Sequence, residues 1–167
     1  MLAVQLLLWE PHQVGRVLLA VLVHELGHGT VMALTGAGVR EIRLHAFGVQ
    51  LRTQPCLLSV PEELLLYGSG PAVNLQCALV LWHISPETAQ LHLGLGLFNL
   101  LPCTVLDGGA ALHCLWAAHP QRLRGCSWCC TVLLAAAAVW MGAARVPVPC
   151  VMAVYLGVSE LSELFFR

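Results

Sequence analysis

Two histidines and a glutamate at helical spacing form the part of the sequence best suited to chemistry. They belong to His24-Glu25-Leu26-Gly27-His28, which lies within an apolar run at residues 14–34. Side chains four residues apart lie on one face of an α-helix, so His24 and His28 can bind the same metal ion, for which zinc is the usual choice. Glu25 lies about 100° around the helix from His24, where it can act as a general base on water rather than as a ligand.

The alternative interpretation of these residues is a chance pattern, because single histidines in apolar helices are usually packing or hydrogen-bonding residues. The surroundings favour a functional site, since ionisable side chains within a membrane-like segment are energetically costly. A soluble protease of the metzincin type is disfavoured, because Val31 and Leu34 stand where its longer motif has glycine and histidine.

A further candidate is Asp107, the only aspartate in the chain. A carboxylate at membrane depth needs an arginine or a cation as its partner, and the apolar runs on either side of it contain no arginine. A metal bound by His24 and His28 would satisfy Asp107. His113 is a rival ligand, although its position in the sequence favours the membrane surface.

The apolar run around Asp107 is expected to contain a broken helix. It covers residues 89–118, which is too long for one simple membrane span. Pro102 removes a backbone donor and Gly108-Gly109 permits unusual dihedral angles, so residues 99–109 should be locally unwound. At membrane depth such backbone must face a cavity.

The composition indicates an integral membrane protein. Hydrophobic residues make up 58% of the 167 residues, charged residues make up 10%, and the mean hydropathy is +0.78. These values lie far outside the range of soluble domains. The net charge of -1 gives no electrostatic reason to expect nucleic-acid binding.

The apolar runs predict an all-α membrane protein with about five transmembrane helices, a membrane-associated β-hairpin and a broken third helix. The predicted spans are residues 14–35, 64–82, the interrupted run at 89–118, 128–144, and a last span from 147 or 149 to 166. Residues 120–127 are predicted to form a polar turn, and residues 1–9 are too short to span. We expect a single integral-membrane domain over 1–167, with a core at 14–118 and accessory helices at 128–166 that pack around it.

Residues 39–52 alternate apolar and polar side chains around a central glycine, which is typical of a β-hairpin. A solvated loop is the alternative, but the alternation of Ile42, Leu44 and Ala46 favours strands. At membrane depth such a hairpin must be buried against protein or line a water-filled cavity.

The arginines predict the orientation in the membrane, because the chain contains no lysine and cytoplasmic segments are enriched in positive charge. Six arginines follow the first, third and fifth spans, and two lie on the opposite side. The side with six is therefore predicted to be cytoplasmic, with the N-terminus outside and the C-terminus inside. The six are Arg40, Arg43, Arg52, Arg122, Arg124 and Arg167, against Arg16 and Arg145.

The order of these motifs resembles the site-2 protease family of intramembrane zinc metalloproteases. The histidine motif and the basic hairpin are followed by Gly70-Pro71-Ala72-Val73-Asn74 and then by an Asn-x-x-Pro-x-x-x-Leu-Asp-Gly run that starts at Asn99. The resemblance covers residues 14–116, and the compact layout is similar to the stage IV sporulation members of that family.

The resemblance implies a zinc cofactor and a role for each matched residue. Glu25 would be the base that activates water, Asn99 would help to hold the substrate backbone or the oxyanion, and Asn74 would line the site from the second span. The hairpin would present an edge strand to an extended substrate. The implied zinc ligands are His24, His28 and Asp107.

The activity implied by the resemblance is hydrolysis of a peptide bond in a membrane-associated protein, near the cytoplasmic face of a bacterial cell membrane. A pro-sigma factor, an anti-sigma factor and a remnant signal peptide all fit as substrates. The lipid bilayer, a membrane regulatory protein and a second copy of the chain are the other expected partners.

Two other classes of protein stay open. A membrane metal-ion transporter can also place histidines and carboxylates within its spans, although it should have a relay of ligands along a path. A catalytically silent, membrane-binding relative would keep the fold but would not require Glu25.

Overall fold

The computed structural model describes residues 11–37, 39–45, 48–53 and 58–143. This part of the chain is mostly helical, as predicted. Its elements in chain order are α1 (Pro11–Thr35), β1 (Val39–His45), β2 (Gly48–Thr53), α2 (Val60–Leu81), α3 (Pro86–Asn99), α4 (Asp107–Leu115) and α5 (Pro120–Ala143). The chain divides into two compact units, Met1–Asn99 and Leu100–Arg167.

Two of the described helices are long and apolar enough to cross a membrane, at Val14–Thr35 and Val60–Leu81. They correspond to the first two of the predicted spans. The predicted last span at 147–166 and the predicted interfacial segment at 1–9 lie outside the described residues.

The first unit is built around α2, which packs against both α1 and α3. The side chain of His28 contacts Leu66, whereas His24, one turn earlier on α1, contacts Asn74 further along α2. Because residue numbers rise along one helix as they fall along the other, α1 and α2 run antiparallel. Asn74 also contacts His92 on α3, so α2 connects the histidine motif to the third helix.

Local signals in the sequence explain where α2 begins. The backbone N–H and the hydroxyl of Ser59 both donate to Oε2 of Glu62 at 2.7 Å, and a glutamate at this position that accepts from the residue before the helix is common at helix starts. Pro61 occupies the first turn, where its missing N–H costs nothing. The helix therefore starts four residues before the predicted span at 64.

The end of α1 is marked by Gly36, whose φ of 69° lies in the left-handed region that glycine adopts without strain. A small apolar cluster includes residues on both sides of this point and consists of Val31, Met32, Ala37 and Leu66 with Leu58 against it. Burial in this cluster fixes the C-terminal half of α1 against the start of α2.

The stretch predicted as a hairpin contains β1 and β2, which pair antiparallel. Ile42 lies opposite Leu51 and Leu44 lies opposite Val49, with an irregularity between Val39 and Glu41. The backbone of β2 lies next to α1. Along the chain, the two strands follow directly after the helix that carries the histidine motif.

The third apolar run is broken, as Pro102 and the glycine pair predict. Helix α3 ends at Asn99 and α4 begins at Asp107. Between them the backbone forms turns, with Cys103 N–H donating to the Leu101 carbonyl at 2.8 Å and Leu106 N–H donating to the Cys103 carbonyl at 2.9 Å.

The predicted polar turn at residues 120–127 is wrong, because this segment is the first third of α5. Proline at the first position of a helix is favoured, since its φ is already helical and its N–H is not needed there. The helix therefore begins at Pro120, whereas the apolar pattern alone predicted that it begins at residue 128.

A candidate metal centre

The two histidines of the motif converge within the first unit. Their Nε2 atoms lie 3.2 Å apart, and both side chains are buried. The rings meet edge to face, with centroids 4.8 Å apart and an interplanar angle of 83°. Two nitrogens bound to one tetrahedral zinc ion at about 2.0–2.1 Å lie about 3.3 Å apart, so the pair fits a shared zinc ion.

The other ring nitrogen of His28 is held by α2. Its Nδ1 lies 2.8 Å from the carbonyl oxygen of Leu66, and a carbonyl can only accept a hydrogen bond. Nδ1 is therefore the protonated nitrogen, and Nε2 keeps the lone pair that a metal ligand needs. A hydrogen bond to the distal ring nitrogen is the usual support for a metal-binding histidine.

His24 is held from behind by Asn74, whose side chain is fully buried at 0% exposure. The Asn74 Nδ2 atom lies 3.1 Å from His24 Nδ1, and its Oδ1 atom lies 2.9 Å from Nδ1 of His92. Asn74 was predicted to line the site. In the structure it contacts the ring nitrogen of His24 that faces away from the paired Nε2 atoms.

Gly70 leaves space beside both Nε2 atoms. A Cβ at this position would lie 2.8 Å from Nε2 of His24 and would overlap Nε2 of His28. On the facing helix, a Cβ at Gly27 would lie 2.8 Å from the carbonyl oxygen of Ser69. The two glycines allow α1 and α2 to approach closely, and the room at Gly70 lies where a metal bound to the pair would need it.

Glu25 and Asn99 are both half-buried. Glu25 lies on α1 directly after His24. Asn99 is the last residue of α3, and its Nδ2 donates to the Leu95 carbonyl at 3.0 Å. A carboxamide carries two N–H hydrogens, so this bond uses one of them. The catalytic roles suggested for both residues stay predictions.

Asp107 belongs to the second unit, where it is the first residue of α4 and is half-buried. A carboxylate is favoured at this position, because the first turn of a helix carries a partial positive charge. The rival ligand His113 lies in the last turn of the same helix and is exposed to the surroundings.

The backbone before Asp107 is held in place by close packing within the second unit. A Cβ at Gly108 would lie 2.7 Å from the Leu101 carbonyl oxygen, and one at Gly109 would lie 2.9 Å from the Cα of Thr104. Only glycine permits this approach. The glycine pair predicted to unwind the helix therefore lets the preceding loop fold against the start of α4.

Helix α5 also holds this loop, a role that the sequence did not reveal. The fully buried Ser127 hydroxyl accepts the N–H of Thr104 at 3.0 Å, and Thr131 Oγ1 lies 4.0 Å from Cys103 Sγ. Both hydroxyls lie on one face of α5, four residues apart. That spacing of small polar residues in an apolar run is the signal that could have predicted the contact.

The fold of the chain is similar to that of a solved site-2 protease. A site-2 protease from Methanocaldococcus jannaschii superposes with a TM-score of 0.71 at 20% sequence identity, covering 90% of this chain and 76% of that one. No protein-family model matches the chain.

A sequence relative is a protein from Synechocystis sp. that is provisionally named a zinc metalloprotease. It is 28% identical over 120 residues, which cover 64% of this chain and 32% of the relative. The chain thus spans about a third of the length of this curated relative. The two comparisons support the resemblance to the site-2 protease family that the motifs indicate, and neither bears on sporulation.

Proposed function

We propose that the chain is an intramembrane zinc metalloprotease that hydrolyses a peptide bond of a membrane-associated protein. The observation that carries this proposal is the 3.2 Å separation of the His24 and His28 Nε2 atoms, with Nδ1 of each ring already in a hydrogen bond. The site-2 protease fold and the metalloprotease name of the Synechocystis relative support the same activity.

In this proposal His24, His28 and Asp107 hold the zinc ion, which leaves a fourth position for water or substrate. Asp107 is included because it is the only aspartate of the chain and occupies the Leu-Asp-Gly position of the matched motif. Bound zinc would polarise the scissile carbonyl and lower the pKa of water toward about 7.

Glu25 would take a proton from the attacking water and return it to the leaving amine, as a general base and then a general acid. Asn99 would donate a hydrogen bond to the oxyanion, as a preorganised donor at the developing charge. The β1–β2 strands would bind the unwound substrate through backbone hydrogen bonds, which require no particular substrate sequence.

The proposed location is a bacterial cell membrane with the site toward the cytoplasm. The two apolar helices and the arginine distribution support this placement. Sigma-factor-linked substrates and a membrane regulatory partner belong to the proposal through the resemblance alone. The comparisons favour a protease over a membrane metal-ion transporter.

Metal analysis of the purified full chain tests the ligand set. We expect one zinc ion per chain in the wild type, since three protein ligands form an open zinc site. The combined His24→Ala and Asp107→Ala variant should lose the zinc, whereas His113→Ala, which removes the rival ligand, should retain it. Unchanged zinc content in the combined variant would overturn the proposed site.

Cleavage is tested with the same preparations in proteoliposomes, using a panel of single-span membrane substrates. The wild type should cleave at least one of them, and chelation of the metal should stop the reaction. If the zinc-loaded wild type cleaves none of the substrates but transports Zn²⁺ across the vesicle membrane, the result favours a metal-ion transporter.

A further inference from the structure

Helix α5 buries two hydroxyl groups that the proposed reaction does not use. Ser127 is fully buried, and Thr131, one turn later, is 4% exposed. A buried hydroxyl costs free energy unless it is hydrogen-bonded, whereas an apolar side chain packs at no such cost. The apolar pattern predicts only a packing role for this helix, so the buried hydroxyls indicate a further one.

Ser127 holds the backbone of the loop that leads to Asp107. The N–H of Thr104 donates to Ser127 Oγ at 3.0 Å. The turn that follows is closed by the Leu106 N–H, which donates to the carbonyl of Cys103 at 2.9 Å. The hydrogen bond to α5 therefore fixes the chain within this turn, three residues before the Asp107 carboxylate.

The position of Asp107 depends on this loop, because α4 is too short to fix it alone. The helix has nine residues, fewer than the roughly 12–15 below which an isolated helix is marginal. Asp107 is its first residue, where the backbone N–H groups have no partner within the helix. Leu106, just before it, is extended with φ of -110° and ψ of 163°. The direction of the carboxylate is thus set where loop and helix meet.

Thr104 also connects the loop to α4. A Cβ on Gly109, in the first turn of that helix, would lie 2.9 Å from the Cα of Thr104. Thr104 therefore packs against α4 and is hydrogen-bonded to α5, and these two helices also contact each other. A shift of Thr104 would be passed on to the first turn of α4.

We propose that Ser127 is a positioning residue for the metal centre, which acts through the Thr104 N–H on Asp107. It keeps the loop in the arrangement from which the carboxylate can bind zinc, so fewer conformations are lost when the metal arrives. This inference rests on the proposed zinc site. It adds α5, which lies outside the predicted core at 14–118, to the elements that the site requires.

Zinc affinity provides the first test. The dissociation constant for Zn²⁺ is measured by chelator competition on the purified full chain. Ser127→Ala should raise it about tenfold, the lower end of the range for groups that support metal ligands. A rise of this size means that about one chain in ten holds the loop ready for the metal. Cys129→Ala also removes one heavy atom from α5, but at an exposed position, and should stay within about twofold of the wild type.

A double-mutant cycle distinguishes the positioning of Asp107 from a general loosening of the fold. The carboxylate is absent in an Asp107→Ala background, so adding Ser127→Ala there should change the dissociation constant by less than about twofold. A merely structural effect would weaken binding by the two histidines equally in both backgrounds. Equal weakening would therefore overturn the inference.

Amide hydrogen exchange provides a test that needs no substitution. The Thr104 N–H should exchange slowly in the metal-free wild type, because a hydrogen-bonded amide exchanges only when the structure around it opens. Its exchange should be faster in Ser127→Ala. Fast exchange at Thr104 in the wild type would count against the inference even if Ser127→Ala does not fold.

The outcomes separate the inference from the proposed function. If Asp107→Ala weakens Zn²⁺ binding while Ser127→Ala binds as tightly as the wild type, the metal site stands and the inference is overturned. If Asp107→Ala binds as tightly as the wild type, or if the wild type binds no Zn²⁺, the proposed ligand set and the inference are both overturned.

Discussion

At the residue scale, the site depends on how two imidazole rings are oriented. The Nε2 atoms of His24 and His28 face each other because Nδ1 of each ring is held by α2, through Asn74 and Leu66 respectively. Prior orientation of this kind lowers the entropic cost of binding a metal, since the rings do not need to be ordered when it arrives.

Glu25→Gln should separate metal binding from catalysis. Glutamine keeps the shape of the side chain but cannot take a proton, so cleavage should fall by at least about 100-fold while zinc content stays the same. Cleavage and zinc content are measured on the same protein, with Glu63→Gln in the first turn of α2 as the control. Normal turnover in Glu25→Gln would remove Glu25 from the mechanism.

Gly70→Ala should destroy the metal site by a steric route. The added Cβ would overlap the paired ring nitrogens, so we expect zinc binding to be lost and the melting temperature to fall. Gly68→Ala is the matched control on the same helix, because a Cβ there has nothing within 4 Å. It should retain zinc and gain up to about 1 kcal/mol of helix stability. Full zinc occupancy in Gly70→Ala would contradict the described geometry.

At the element scale, the helix with the histidine motif leads directly into the paired strands β1 and β2. An edge strand can bind an extended peptide through backbone groups, and an intramembrane protease must accept substrate that has left its helical form. The order of elements therefore puts a strand pair, of the kind that the proposed substrate binding needs, directly after α1 in the chain.

Proline at Val49, opposite Leu44 in the described pairing, tests this use of the strands. Proline lacks the N–H donor, so cleavage should fall further than in Val49→Ala, while zinc content should not change. Ala46→Pro, between the two strands in the chain, is measured in parallel. Normal cleavage in both proline variants would leave Asn99 and the broken third helix to position the substrate.

The features predicted from sequence are those that local chemistry dictates. The spacing of His24 and His28 puts them on one face of the helix. Pro102 and the glycine pair interrupt the third apolar run whatever the neighbouring helices are. His92 and Ser127 were not predicted, because their roles depend on which helices become neighbours. The start of α5 was predicted too late, since Pro120 suits both a turn and the first position of a helix.

At the scale of the whole molecule, large apolar side chains cover the outside of the described helices. Leu18, Leu19, Leu22 and Leu26 on α1 are between 49% and 59% exposed. A surface of this kind is unfavourable in water and favourable in lipid. The exposed leucines and the two long apolar helices therefore agree with a chain embedded in the bilayer.

Membrane extraction tests this placement. The full chain should stay with the membrane fraction after an alkaline carbonate wash. Leu22→Arg should reduce the inserted fraction, because an arginine at the centre of a membrane helix costs about 2.5–3.5 kcal/mol, whereas Leu22→Ala should insert as wild type. Release of the wild type by the carbonate wash would contradict the insertion of these leucines in the bilayer.

The ion pair between Arg16 and Glu87 has a consequence for the supply of water. It joins the N-terminal parts of α1 and α3, and charged groups of this kind belong at the edge of the bilayer. His24 lies eight residues from Arg16, about 12 Å along the helix axis, and His28 lies seven residues from Thr35, about 10 Å. Each peptide bond hydrolysed consumes one water molecule, and the bilayer interior holds almost none. If the chain is the proposed protease, a hydrated passage about 10 Å long must therefore connect the histidines to the edge of the bilayer, because water is the second substrate of the reaction.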